Sequence, residues 1–138
     1  MAEHIRVSFP GDARVDATIG SFTVETDQPP EYGGGAAAPA PFDLFLVSIA
    51  TCAGIFALKF CQARKLSTDG LDLTMDWQGH KSDPSLAAVR LRLTLPKGFP
   101  QRYHDGIVKA MDLCAVKRTI QCPPQFSTEL VVEAADGD

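Results

Sequence analysis

Pro41-Phe42-Asp43-Leu44-Phe45-Leu46-Val47-Ser48-Ile49-Ala50-Thr51-Cys52-Ala53-Gly54-Ile55-Phe56-Ala57-Leu58 is the stretch on which the architecture turns. From Phe42 to Arg64 there is no proline, and the only glycine is Gly54. Pro41 suits a first helical turn, Asp43 complements the positive end of a helix dipole, and Lys59, Arg64 and Lys65 gather towards the negative end. The stretch therefore predicts a helix over 41–65, about 36 Å long at the usual rise per residue. Between residues 44 and 58 no side chain is charged, and apolar positions cover every face, so such a helix must be buried all round. A membrane span needs about 20 apolar residues, whereas this run is shorter and has strand-like sequence on both sides. A central core helix is the better solution. One sheet in a chain this small covers only one side of it, so the opposite side is expected to meet a second copy, which makes the protein a homodimer.

On the N-terminal side of the helix, residues 5–9, 14–19 and 21–26 alternate apolar and polar and read as an antiparallel meander within 1–26. Residues 27–40 contain Pro29-Pro30 and Gly33-Gly34-Gly35 and are expected to hold no regular element, only a crossover loop. On the C-terminal side, 71–77 and 89–95 alternate strictly and predict a strand pair over 71–95, with a polar tip around Asp83-Pro84. Helices follow within 100–120, where Ile107, Val108, Ala110 and Met111 recur at helical spacing. A last strand is expected over 127–133, and the tail 134–138 is expected to fray. There is no internal repeat. The sum is one α+β domain over 1–138, with antiparallel sheets around a long central helix.

The chain has 138 residues, 45% hydrophobic and 22% charged, a globular composition with a net charge of -4. With a pI near 5.3 it offers no electrostatic reason to bind phosphate backbones or anionic lipid, so no nucleic acid and no membrane partner are expected. Its first residues lack the apolar stretch of a secretory signal, which predicts a cytoplasmic protein. Thiols stay reduced in that compartment. The four cysteines are then buried apolar residues, ligands or reactive groups rather than a disulfide framework.

Cys52 supports two readings. Free cysteine is often a small buried hydrophobe, but Ser48, Ala50, Thr51, Ala53 and Gly54 also leave the space beside the sulfur that a pocket requires. Cys114 stands at the junction of two helical segments. A thiolate there gains from free backbone N–H groups and from the nearby Lys117 and Arg118. Cys61, about 180° around the helix from Cys52 and roughly 13 Å along it, is out of disulfide range and reads as core. Cys122 reads as incidental. Structural zinc sites pair cysteines two to four residues apart, which these spacings do not, and His4, His80 and His104 share no metal-ligand or catalytic spacing. The glycine run lacks the Gly-Lys-Ser/Thr ending of a phosphate loop. Neither a metal nor a cofactor is expected.

The segment 41–52, a proline and an acidic residue followed by an apolar run and a cysteine, resembles the signature that opens the central helix of OsmC/Ohr proteins. Leu113-Cys114-Ala115-Val116 resembles the second signature of that family, and the order of elements agrees over nearly the whole chain. The resemblance implies an OsmC-like fold, an intertwined homodimer, and active sites at the subunit interface. It also implies a cysteine-based peroxidase, an oxidoreductase of oxidative stress acting on organic hydroperoxides. Cys52 would attack the peroxide bond and become a sulfenic acid, and Cys114 would condense with it. A thiol or dithiol reductant would then restore the pair. An arginine lowers the thiol pKa in such proteins. Arg14 is the candidate and Arg6 the alternative, and each reads equally well as an exposed strand arginine.

One position departs from the pattern. Peroxidase members carry a glutamate ten residues before the first cysteine, where this chain has Phe42. Asp43 is adjacent, as in a divergent branch, but lies about 13 Å along the helix from Cys52 and could serve only the partner's site. Two further readings follow: a non-catalytic dimer binding a small apolar ligand, or a redox-responsive interaction protein.

Overall fold

The computed structural model describes residues 4–79 and 86–133. The tip around Asp83-Pro84, His80 and the tail 134–138 lie outside the described residues. Strands β1 (Arg6–Gly11), β2 (Arg14–Ile19) and β3 (Phe22–Thr26) form an antiparallel sheet in that order. Val7 pairs with Ala17, Asp16 with Glu25 and Val15 with Thr26, so this sheet is held by its own ladder.

The crossover is more ordered than its composition suggests. A 3-10 turn spans Pro30–Tyr32, where the sequence reading expects no regular element. Pro30 supplies the fixed φ, and Gly33, at φ 88°, ends the turn. Gly34 lies so close to the backbone of Gln28 that a Cβ would fall 1.9 Å from the Gln28 carbonyl oxygen.

Helix α1 (Pro41–Ala63) begins with Asp43 accepting a hydrogen bond from the Ala40 N–H (3.0 Å) and ends at Arg64, before Lys65 turns left-handed at φ 54°. Its mean hydropathy of 2.1 over 18 residues would suit a membrane span, but one helix of this kind is weak support for one. Leu46, Ile49, Ala53, Ala57, Phe60 and Cys61 form a single buried stripe. Val47, Thr51 and Ile55 remain exposed on another face. Burial all round is therefore not reached within the single chain, because one small sheet and two short helices cover only one side of the cylinder.

That cover comes from the C-terminal elements. Strands β4 (Asp72–Gly79) and β5 (Leu86–Thr94) pair antiparallel, with Leu73 opposite Leu93 and Met75 opposite Leu91. Leu73, Leu91 and Leu93 pack on a core of Ala53, Ala57, Phe60, Cys61, Ile107 and Met111. A 3-10 turn at Gln101–Tyr103 leads into α2 (His104–Met111). Gly106 brings α2 against α1, since a Cβ there would stand 3.0 Å from the Phe60 ring. Helix α3 (Ala115–Gln121) packs on α1 as well. The fold is α+β, two antiparallel sheets about a long central helix. The strand expected over 127–133 does not form in the single chain. A strand needs an edge to pair with, and Phe126 and Leu130 stay 89% and 87% exposed.

Candidate active site

Cys52 lies mid-helix in α1, half-buried, and Cys114 caps the N-terminus of α3 with no exposed surface. The packing of α3 on α1 brings the two thiols near one another. The hydrogen bond from Cys114, followed by the backbone N–H groups of Val116 and Ala115, holds the Cys52 thiol below the ordinary cysteine range against the opposing effect of burial. Cys114 moves the other way. Burial pushes it up first, and its bond to Cys52 adds to that. The arrangement thus differentiates the pair: one sulfur is favoured as thiolate, and its neighbour is kept as a protonated donor. The hydroxyls beside Cys52 stay within their helix, Ser48 donating to the Phe45 carbonyl (2.6 Å) and Thr51 to that of Val47 (2.8 Å).

Arg14 is not brought to this pair within the chain. It sits on β2, ion-paired to Asp16 (3.6 Å) and Glu25 (3.7 Å), and it is not among the groups that lower Cys52. Arg6 is exposed on β1. Phe42 is exposed at the start of α1 with its ring 5.6 Å from that of Phe45, and Asp43 caps the same helix. Cys61 is wholly buried, and burial raises its pKa; Cys122 is exposed at the far end of α3. Among the described residues, no three histidine, cysteine or acidic side chains converge as metal ligands would. A cavity of about 370 Å³, with neither cysteine in its lining, is bounded by Ile49, Leu91, Leu93, Met111, Lys117 and Ile120.

Sequence reasoning missed two features. The Ala115 N–H acts on Cys52 and the Val116 N–H on both thiols, which only the approach of α3 to α1 determines. Asp27 is buried at the mouth of the crossover. Its signal was legible, an aspartate followed by Gln-Pro-Pro at a strand end, where such side chains accept backbone N–H bonds.

The family model for OsmC-like proteins matches residues 33–129, which include both Cys52 and Cys114. The chain belongs to the OsmC-like family. Solved structures with the same fold include an OsmC-like protein from Mycoplasma pneumoniae (16% identity, 88% of each chain, TM-score 0.70). Another, from Psychrobacter arcticus 273-4, is named for osmotic stress induction and detoxification response (18% identity, 86% and 88% of the two chains, TM-score 0.73). A third is an organic hydroperoxide resistance protein OsmC from Legionella pneumophila (18% identity, 88% and 90% covered, TM-score 0.57). No curated protein matches the chain. At these identities the likeness concerns the fold, an OsmC-like fold of the kind soluble proteins have. Arg14 and the whole β1–β3 sheet fall outside the matched segment.

Proposed function

We propose that this OsmC-like protein is a thiol peroxidase that reduces organic hydroperoxides in the cytoplasm, with Cys52 as the peroxidatic and Cys114 as the resolving residue. The observation that carries the reading is the closeness of Cys52 and Cys114 where α3 packs on α1, with the first thiol lowered and the second raised in proton affinity. The Cys52 thiolate attacks the hydroxyl oxygen of the hydroperoxide. The O–O bond breaks, the alkoxide leaves and takes up a proton as the alcohol, and Cys52 becomes a sulfenic acid. The Cys114 thiol then displaces water from that sulfur to form the Cys52–Cys114 disulfide. Two thiols of a reductant return the pair to its starting state by exchange.

The active form is a homodimer. The exposed Val47 and Ile55 on α1, and the unpaired apolar segment at 126–132, support a second copy covering this face and giving 127–133 a strand edge. Arg14 then acts on the partner's thiol, not on that of its own chain.

Stopped-flow mixing of the reduced protein with cumene hydroperoxide tests the enzyme reading. Oxidation of Cys52 orders of magnitude faster than that of free cysteine is expected, and a rate equal to free cysteine would end it. A second reading draws on the apolar cavity beside Ile49 and on Phe42. In it the protein is a non-catalytic dimer holding a small apolar ligand. A ligand retained in native mass spectrometry together with an inert Cys52 would favour it.

A further inference from the structure

Where the crossover meets the start of α1, it encloses a second cavity that the thiol chemistry does not use. Its volume is about 360 Å³, and Pro29, Tyr32, Ala38, Ala40, Phe42 and Asp43 are in its lining. That is within the size range of small-molecule sites, and most of the lining is apolar with one charged group in it. Phe42 precedes Cys52 on α1 by about 15 Å of helix, so the cavity is separate from the thiol pair of its own chain.

The wall is held in shape by the backbone. The Tyr32 N–H (2.9 Å) and the Gly34 N–H (3.1 Å) both donate to the Pro29 carbonyl, and the Ala36 N–H donates to that of Gln28 (3.0 Å). Ala36 holds φ 53°, a left-handed conformation that a residue with a Cβ rarely adopts and that these bonds maintain. Beneath them, the buried Asp27 carboxylate accepts the Gln28 N–H (2.7 Å) and the Ala37 N–H (3.0 Å). The Phe42 ring is backed by that of Phe45, 5.6 Å away. A ligand entering here finds walls already ordered, which lowers the entropic cost of binding.

Charge selects the ligand. Residues 15–58 contain no lysine, arginine or histidine, while Asp16, Glu25, Asp27, Glu31 and Asp43 all fall within them. Arg14, just before this span, is ion-paired to Asp16 and Glu25. Asp43 is in the lining, and one of its oxygens accepts the Ala40 N–H (3.0 Å). A helix N-terminus ordinarily attracts an anion, but this one already carries the Asp43 carboxylate and begins with Pro41, which has no N–H to offer. Aromatic faces beside a carboxylate suit the opposite sign, because the ring quadrupole is negative over the face. We propose that this cavity binds an organic cation, a quaternary or methylated ammonium group, against the Tyr32 and Phe42 rings with Asp43 as its counter-charge. The site stands independently of the peroxidase reading.

The test titrates the full-length protein with choline and with neohexyl alcohol, its uncharged carbon isostere, and follows the backbone amide NMR shifts. Saturable shifts over residues 28–43 are expected with choline, and several-fold weaker binding with the alcohol. Phe42→Leu and Tyr32→Leu keep the lining apolar and should abolish the preference for choline. Tyr32→Phe keeps the aromatic face and should bind choline as the wild type does. Asp43→Asn removes the charge but leaves a residue that caps a helix equally well, and should bring choline affinity down towards that of the alcohol. Tyr32 is 75% exposed, so its variants are expected to fold normally and the comparison between them stands by itself. Equal affinity for choline and the alcohol would make the cavity merely apolar and overturn the proposal. So would choline affinity unchanged in Tyr32→Leu and Phe42→Leu, shifts confined to other residues, or no saturable shift at all.

Discussion

From α1 onward the chain folds onto itself: Ala53, Cys61, Ile107 and Cys114 have at most a trace of exposed surface, and the two thiols meet through packing inside one chain. Before α1 it does not. Val7, Phe9 and Phe22 on the β1–β3 sheet stay 47%, 79% and 72% exposed, and the main packing of that sheet is its own ladder. The closeness of Cys52 and Cys114 is therefore a local product of the α1–α3 contact, whereas the cation proposed to assist them sits on the sheet that packs mainly on itself. The proposed function would then have its site assembled in two stages, sulfur chemistry by folding and electrostatic assistance by association.

The largest expected contrast between the two regions is in stability. Ile107→Ala opens a cavity at a fully buried position and should cost about 2–5 kcal/mol, read from denaturant unfolding. Val7→Ala on β1 should cost less than about 1 kcal/mol at protein concentrations where the chain is monomeric, and more when it is associated. Equal costs at all concentrations would show that the N-terminal sheet is as fully packed as the core and would break the comparison.

The contrast also governs what could be read without coordinates. The uncharged run from Leu44 to Leu58 dictates a long central helix, and the strict alternation of 71–77 and 89–95 dictates the strand pair, because both signals are periodic and local. The meeting of Cys52 with Cys114 is neither. Those residues are distant in sequence, and only resemblance to the OsmC/Ohr signatures pairs them. The strand expected over 127–133 shows the reverse problem: Leu130-Val131-Val132 is strand-like in composition, but a strand is a property of two segments, and among the described residues this one pairs with no edge. The order in the crossover was hidden because glycine and proline runs say where a chain turns, not which side chain ties the turn down. Here that side chain is Asp27, with the Gln28 and Ala37 N–H groups.

A smaller effect separates the cysteines by pH. Burial raises the Cys61 pKa in the folded state. The stability this contributes is fully present below the unfolded thiol value, about 8.5, and is lost as pH rises through the folded value. Between the unfolded and the folded thiol values, wild-type stability should therefore fall more steeply with pH than that of Cys61→Ala. Identical slopes would mean that Cys61 titrates as an exposed thiol.

The most direct test of the thiol pair is to treat reduced protein with one equivalent of cumene hydroperoxide, digest it without reduction, and identify the linked peptides by mass spectrometry. The account predicts one dominant intrachain bridge joining Cys52 to Cys114, with Cys61 and Cys122 still free. A Cys52 that stays reduced, or accumulates as sulfinic acid while Cys114 remains a thiol, would contradict it.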